Sequence, residues 1–306
     1  MMEIGAYIEQ NREALAAWGE EIRRAVCHQH SALLKVPAAV RVKDPESARK
    51  KQFKKAYDDP SSQMTDLVGV RFVVLTSDDL APIRAHLEQA SGWQCVQARD
   101  PDEEIEAAPD TFGYQSHHYE VRPPTSAGAT WCCEVQVRTL LQHTIAELSH
   151  DAMYKATQAV PSQALRLVAR SIALMETTDE LLCRAIQSVR EAEAPALAVR
   201  RVACDLARSI DQKDDGDLLE DLLAAYAESI DSTSVADLRA FAGEHSYIYD
   251  KIRSRPGEGL FQFHSASILT YWLVQRLQRK AVRAWPFPGS KAELMKVFSD
   301  LGISPG

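Results

Sequence analysis

Apolar and polar positions change their period along the chain, and the change divides it. Ile8, Leu15, Trp18, Ile22 and Val26 recur at helical spacing, predicting a helix over residues 7–35 that Pro37 ends. A second, strongly basic helix is predicted over Ser47 to Tyr57. Leu67 to Leu75 (LVGVRFVVL) is short, apolar and β-branched, the pattern of a buried strand. A helix over Asp78 to Ala90, with Ser77 and Asp78 as caps, and a strand over Trp93 to Arg99 follow. Residues 100–113 read as a long acidic loop. His117 to Arg122 and Trp131 to Arg138 read as strands joined by the turn-rich PPTSAGA.

Leu140 to Tyr154 is predicted to be a helix with two faces. Leu141, Ile145, Leu148 and Ala152 fall on one, and His143, Glu147, His150 and Tyr154 on the other. No strand pattern recurs beyond it. One long amphipathic helix is expected from Pro161 to Glu193, then a break at AEAPA (192–196), then four or five helices, one of them Ser265 to Ala284. The expectation is an α/β (α+β) domain over residues 1–156 and an all-α region over 157–306.

Composition sets the class. Hydrophobic residues at 45% and charged residues at 25% of a 306-residue chain are ordinary for a globular protein with room for two domains. No apolar run approaches the roughly eighteen residues of a membrane-crossing helix. The first residues lack the basic-then-apolar order of a signal peptide, so the expected location is the cytoplasm. The six cysteines are scattered and form no CxxC pair, which argues against a disulfide framework or a structural zinc site.

A net charge of −8 argues against indiscriminate nucleic-acid binding, but it averages over two opposed runs. Arg41, Lys43, Arg49, Lys50, Lys51, Lys54 and Lys55 crowd together, while Asp100, Asp102, Glu103, Glu104, Glu106 and Asp110 make an acidic stretch. A solvated face is the plainer reading of the acidic run.

Three polar clusters change the picture. Strand alternation puts Glu134, Gln136 and Arg138 on one face, and Tyr114, Ser116 and His118 alternate in the same way. A third cluster, Asp66-Leu67-Val68-Gly69-Val70-Arg71, lies where an apolar strand begins. Any one of these fits the wet side of an antiparallel sheet. Together, with a basic helix upstream, they point to a polyphosphate site. Phosphoryl transfer is mostly positioning and charge neutralisation. Mg²⁺ takes one or two protein carboxylates and completes its shell with phosphate oxygens and water, and Asp66 and Glu134 are the obvious pair. Lysines and arginines would hold a triphosphate, and Tyr114 offers a flat face on which a base can stack.

Several segments then follow in order: Arg41-x-Lys43-x-x-x-Ser47-x-x-Lys50-Lys51, Asp66-Leu-x-Gly69-x-Arg71, Gly113-Tyr114-x-Ser116-x-His118, Glu134-Val-Gln136-Val-Arg138-Thr139, and Ala146-x-x-x-His150-x-x-x-Tyr154-Lys155. Over about residues 37–156 they resemble the synthetase domain of the RelA/SpoT family of alarmone synthetases. The resemblance implies a nucleotidyltransferase-like mixed β-sheet flanked by helices. It also implies an ATP-dependent pyrophosphokinase that moves the β,γ-pyrophosphate of ATP to a ribose 3′-hydroxyl and releases AMP. On this resemblance Arg41 and Arg71 would sandwich the adenine, and Lys43, Ser47, Lys50 and Lys51 would grip the ATP phosphates. Asp66 and Glu134 would hold Mg²⁺, with Glu134 also activating the attacking hydroxyl. Tyr114 would stack on the acceptor base. Ser116, His118, Gln136 and Arg138 would line the acceptor side, supported by His143 and His150.

The acceptor implied first is GDP or GTP, giving (p)ppGpp. Yet Pro109-Asp110 stands where the family has a Pro-Lys pair, and six carboxylates in that stretch would repel a nucleotide polyphosphate. Toxic small synthetases of the family act on other acceptors, including the 3′ end of tRNA, which carries no 5′ polyphosphate there. That is the alternative acceptor. A catalytically silent regulatory interaction module is a third reading, opposed by the presence of Asp66, Glu134, Arg41 and Arg71. Tyr247, Tyr249, Phe261, Phe263, Tyr271 and Trp272 concentrate late in the chain. An ordinary helical core is the favoured explanation; a partner-binding or self-inhibitory surface, for an antitoxin or a second copy of the chain, is the sharper alternative.

Overall fold

The computed structural model describes residues 3–55, 57–113, 115–124, 131–149, 159–210, 216–255, 257 and 259–305. The chain divides into two compact units, Met1–Ala185 and Ile186–Gly306. None of the six cysteines is disulfide-bonded. Among the described residues no helix is long and apolar enough to cross a membrane.

The first unit is built on a mixed sheet whose strands are β1 (Leu34–Val36), β2 (Val40–Val42), β3 (Val68–Val74), β4 (Gln94–Arg99), β5 (His117–Arg122) and β6 (Cys133–Thr139). The order is β1-β3-β6-β5-β4, with β2 also paired to β3. β3 and β6 run parallel and the other pairs are antiparallel. Alternation decides what each face does. Val68, Val70 and Phe72 of β3 are buried with Val135 and Val137 of β6, while Gly69, Arg71, Glu134 and Gln136 turn to the other side.

Helices α1 (Ile4–Gln10) and α2 (Arg12–His30) precede the sheet. Leu15, Trp18, Ile22 and Val26 of α2 join the core under the sheet, and the Trp18 indole donates to the Val121 carbonyl at 3.2 Å. Gly19 makes the approach possible, because a Cβ there would lie 2.6 Å from Val40 Cγ1 and 2.8 Å from Val68 Cγ2.

The expected single helix over 7–35 is therefore two helices, interrupted at Asn11 and ending at His30. Leu34 and Val36 go to the sheet, where β1 pairs with β3. The basic helix, α3, spans Pro45–Lys55. A short helix, α4 (Pro60–Gln63), leads into β3, and α5 (Leu80–Gln89) follows it. The turn before α5 is fastened by Thr76 rather than Ser77 or Asp78. Its backbone N–H and hydroxyl both donate to Asp79 Oδ2, at 3.4 and 3.3 Å. The expected acidic loop contains a helix, α6 (Pro101–Ala107). Asp100 accepts from the Asp102 N–H as its cap, Pro101 fits the first turn, and Asp102, Glu103 and Glu104 sit where the helix dipole favours carboxylates. α7 spans Leu140–Ser149, and the remainder of the expected 140–154 helix lies outside the described residues.

α8 (Ser162–Ala207) does not break at AEAPA; it continues through Pro195. A proline inside a helix forfeits one backbone hydrogen bond. Val199, Val202 and Ala203, all buried in the second unit's core, hold the helix beyond it. The unit's other helices are α9 (Gly216–Ala225), α10 (Ser234–Glu244), α11 (Tyr247–Arg253), α12 (His264–Leu277), α13 (Arg279–Arg283) and α14 (Lys291–Leu301). α12 buries ten consecutive residues, Ser265 to Val274. The expected helix over 265–284 is two, because Gln278 takes φ +41° and ψ −103°, a conformation no α-helix accommodates, between α12 and α13. Phe261, Tyr271 and Trp272 lie in this core, as the plainer reading of the aromatic cluster expected.

One buried charge ties α14 to this unit. Asp300 accepts from Arg255 through both oxygens (2.5 and 3.0 Å) and from the Tyr271 hydroxyl (2.6 Å), and Arg255 stacks on Phe261. Burial pushes the Asp300 carboxyl up, but hydrogen bonds from Arg255 and Tyr271 hold it below the usual aspartate range. Its stabilisation is thus complete above the unfolded value of about 4 and is lost as pH falls through the lower folded value. Asp300→Ala should lower stability at pH 7 by about 1–3 kcal/mol, because the half-buried Arg255 and the Tyr271 hydroxyl lose their common acceptor. In urea denaturation, the gap between variant and parent should narrow as pH falls below about 4.

Candidate functional site

Parallel pairing sets Gly69 beside Glu134, Arg71 beside Gln136 and Val73 beside Arg138. Across β6, the antiparallel β5 brings His118 beside Gln136. On the outer edge of β3, β2 sets Arg41 opposite Gly69. Residues remote in sequence thus converge on one sheet face.

A cleft of about 430 Å³ opens over it, lined among others by Arg41, Lys43, Asp66, Arg71, Glu134 and Gln136. Asp66 sits just before β3, where the Lys43 backbone N–H donates to Leu67 O at 2.9 Å and draws the two segments together. Lys43 Nζ lies 2.5 Å and Lys51 Nζ 3.0 Å from Asp66 Oδ2. Burial pushes the Asp66 carboxyl up, but the two ammonium groups outweigh it and hold the pKa below the ordinary aspartate value. Glu134 is also held low. His118, with Nδ1 3.6 Å from Oε1, is the leading cause against the effect of burial; Gln136 Nε2 adds a hydrogen bond at 2.9 Å. The charge of Asp66 pushes Glu134 the other way, as expected for two carboxylates facing one space. Asp66 Oδ1 is buried with no hydrogen-bond partner among the described residues. Two ionised carboxylates, one with an unsatisfied oxygen, suit a hard divalent cation such as Mg²⁺.

The basic helix splits its residues. Lys51 turns inward to Asp66, whereas Ser47 and Lys50 are exposed and line neither described cavity. The Ser47 backbone N–H donates to Asp44 Oδ2 at 2.8 Å, and Arg49 pairs with Glu3 and Glu46.

A second cavity, of about 850 Å³, shares Arg41, Arg71, Gln136 and Glu147 with the cleft and adds Arg138, Gly113 and Gln115. Its far wall is apolar, made by Leu165, Val168, Ile172 and Met175 of α8. Nothing in the motif spacing pointed to that wall; the only sequence signal was the amphipathic period of α8. Gln115 ties it to the sheet by donating to Glu176. Arg138 is almost fully buried and donates to Glu147 Oε1 at 3.5 Å.

Three predicted residues stand elsewhere. Ser116 is buried, its hydroxyl has no hydrogen-bond partner among the described residues, and it lines neither cavity. His143 lines the smaller cleft and not the larger cavity, and burial, Arg138 and Arg71 push its pKa down. His118 acts on Glu134, as described. Tyr114 and His150 lie outside the described residues. The acidic stretch is partly neutralised from within: Arg84 donates to Asp100 and Asp102, and Arg99 to Glu104. Asp100, Asp102 and His117 also bring possible metal ligands within 4.8 Å of one another, with Arg84 as their countercharge.

Residues 40–159 match the protein-family description "Region found in RelA / SpoT proteins". No curated protein sequence matches the chain. A GTP pyrophosphokinase family protein from Streptococcus pneumoniae is similar over 63% of this chain and 98% of its own, at 21% identity and a TM-score of 0.51. Small alarmone synthetase 2 from Bacillus subtilis is similar over 60% of this chain and 97% of its own, at 21% identity and a TM-score of 0.50. Small alarmone synthetase 1 from Bacillus subtilis, bound to its product pppGpp, covers 60% of this chain and 94% of its own, at 23% identity and a TM-score of 0.47. At these identities the first two, with TM-scores of 0.51 and 0.50, show a likeness of fold alone. A mixed sheet with helices, followed by a largely helical region, therefore carries in this chain a region of the kind found in RelA/SpoT proteins.

Proposed function

We propose that the protein transfers the β,γ-pyrophosphate of ATP to the 3′-hydroxyl of a guanosine 5′-di- or triphosphate, releasing AMP. The observation that carries this reading is the meeting of Asp66 and Glu134 in one cleft beside Lys43, Lys51, Arg41 and Arg71, within the matched region. In the reaction the acceptor 3′-oxygen bonds to the β-phosphorus, the bond from that phosphorus to the α-phosphate oxygen breaks, and AMP departs with the electron pair. Asp66 and Glu134 are the residues that would hold Mg²⁺, whose part is to neutralise the phosphate charge. Arg41 and Arg71 clamp the adenine from two sides, and Lys43 and Lys51 take the triphosphate as point charges. Glu134, ionised at neutral pH, orients the acceptor hydroxyl and takes its proton. Gln136 and Arg138 face the larger cavity, which would receive the acceptor, with Tyr114 stacking on its base. Ser47 and Lys50 would reach the phosphates only from the solvent side of α3.

A second acceptor, the 3′ end of tRNA, is favoured by one feature. The cations among the described residues lining the larger cavity are Arg41, Arg71 and Arg138, and the last two already donate to Glu147. That lining suits a terminal ribose and base better than a 5′-polyphosphate.

Purified protein given γ-labelled ATP and Mg²⁺ should label GDP or GTP and release AMP. Label in tRNA alone would move the acceptor to the second reading, and label in none of GDP, GTP, ATP or tRNA would leave a silent interaction module. Glu134→Gln should reduce transfer by about a hundredfold or more with unchanged circular dichroism; full activity would remove Glu134 from the reaction. In metal-free protein, His118→Ala should move the Glu134 titration upward, because the leading cause of its low pKa is gone. Carboxylate-carbon NMR reads that midpoint, and an unmoved value would clear His118 of the role.

A further inference from the structure

One end of the smaller cleft is closed by α7, which sends His143 and Glu147, one turn apart, into it. Glu147 Oε1 collects three contacts: Arg71 Nη1 at 2.7 Å, Arg138 Nη2 at 3.5 Å and His143 Nδ1 at 3.7 Å. Among the described residues, Oε2 enters none of these contacts. His143 Nδ1 is buried without a hydrogen-bond partner among the described residues, and the ring is held toward its neutral form by burial and the two arginines. The end wall therefore offers, among the described residues, a second carboxylate oxygen, which can only accept, beside an imidazole held toward its neutral form.

The edges of the two common purines differ at this kind of wall. Adenine presents a 6-amino donor where guanine presents the O6 acceptor, and N7 accepts in both. A carboxylate welcomes the first and repels the second.

We infer that Glu147 sets the choice of donor nucleotide, accepting from the adenine 6-amino group through Oε2 while Oε1 holds the Arg71 guanidinium across the base. The inference rests on the proposed seating of the donor base between Arg41 and Arg71. The plainer role, holding Arg71 alone, would weaken every purine donor alike. Discrimination between purines separates the two.

The test is binding of α,β-methylene ATP, α,β-methylene GTP and purine riboside triphosphate, measured by calorimetry without acceptor. The parent protein should prefer the ATP analogue over the GTP analogue by roughly ten- to hundredfold, and over the purine riboside, which lacks any 6-substituent, by about tenfold. Glu147→Gln keeps an acceptor for Arg71 but adds an amide donor, so the ATP-to-GTP ratio should fall at least severalfold. Equal weakening of all three ligands in Glu147→Gln, with the ratio unchanged, would overturn the inference. So would equal binding of the ATP analogue and the purine riboside by the parent, a comparison that needs no variant. Failure of the parent to bind any of the three would instead strike at the proposed donor site itself.

Discussion

β3 and β6 lie side by side with the same polarity, so Gly69 meets Glu134 and Arg71 meets Gln136. A parallel pair cannot be joined by a tight turn; it requires a long crossover. Here the crossover contains α5, β4, α6 and β5, and β5 then returns antiparallel on the far side of β6. The acidic residue that opens β3 and the one near the start of β6 thereby reach the same cleft. The single polarity of that pair also leaves the edges of β3 and β6 to strands that deliver Arg41 and His118. Shifting the β3–β6 register by one residue would turn Glu134 and Gln136 into the core and leave the cleft without its charge.

The charges then organise one another. Asp66 would be costly to bury alone, and it is tolerated because Lys43 and Lys51 stand against it. Glu134 keeps its charge through His118 and Gln136 despite the repulsion of Asp66. Glu147 does the same office for Arg71 and the buried Arg138. The site is a set of half-satisfied ions, each with a partner a ligand can replace. On the proposed function, that is the property a polyphosphate-handling cleft needs.

Sequence alone carried the motif strands well. Period two is unambiguous over Glu134-Val135-Gln136-Val137-Arg138, and β5 has the bounds that its pattern predicted. β1 and β2 escaped because three residues cannot establish a period, and their pairing is decided by the edge of β3 rather than by their own composition. α6 was hidden by its charge: a run of carboxylates reads as solvated loop unless Asp100 and Pro101 are read as a helix start. The inward turn of Lys51 and the outward turn of Lys50 could not be told apart without knowing where α3 packs. The apolar wall from α8 and the position of Glu147 between two cavities are tertiary facts, set by chains of contact that no local pattern encodes.

Lys43 and Lys51 both stand against Asp66. They act as built-in counterions. On the proposed function, Lys43 and Lys51 would exchange the Asp66 carboxylate for the phosphates of a nucleotide, and Asp66 would be freed to hold the cation. Charge within the cleft is then exchanged and not accumulated, and few mobile ions from solvent need be displaced. Nucleotide capture by such a site would depend only weakly on ionic strength, in contrast to recognition through an open field of lysines.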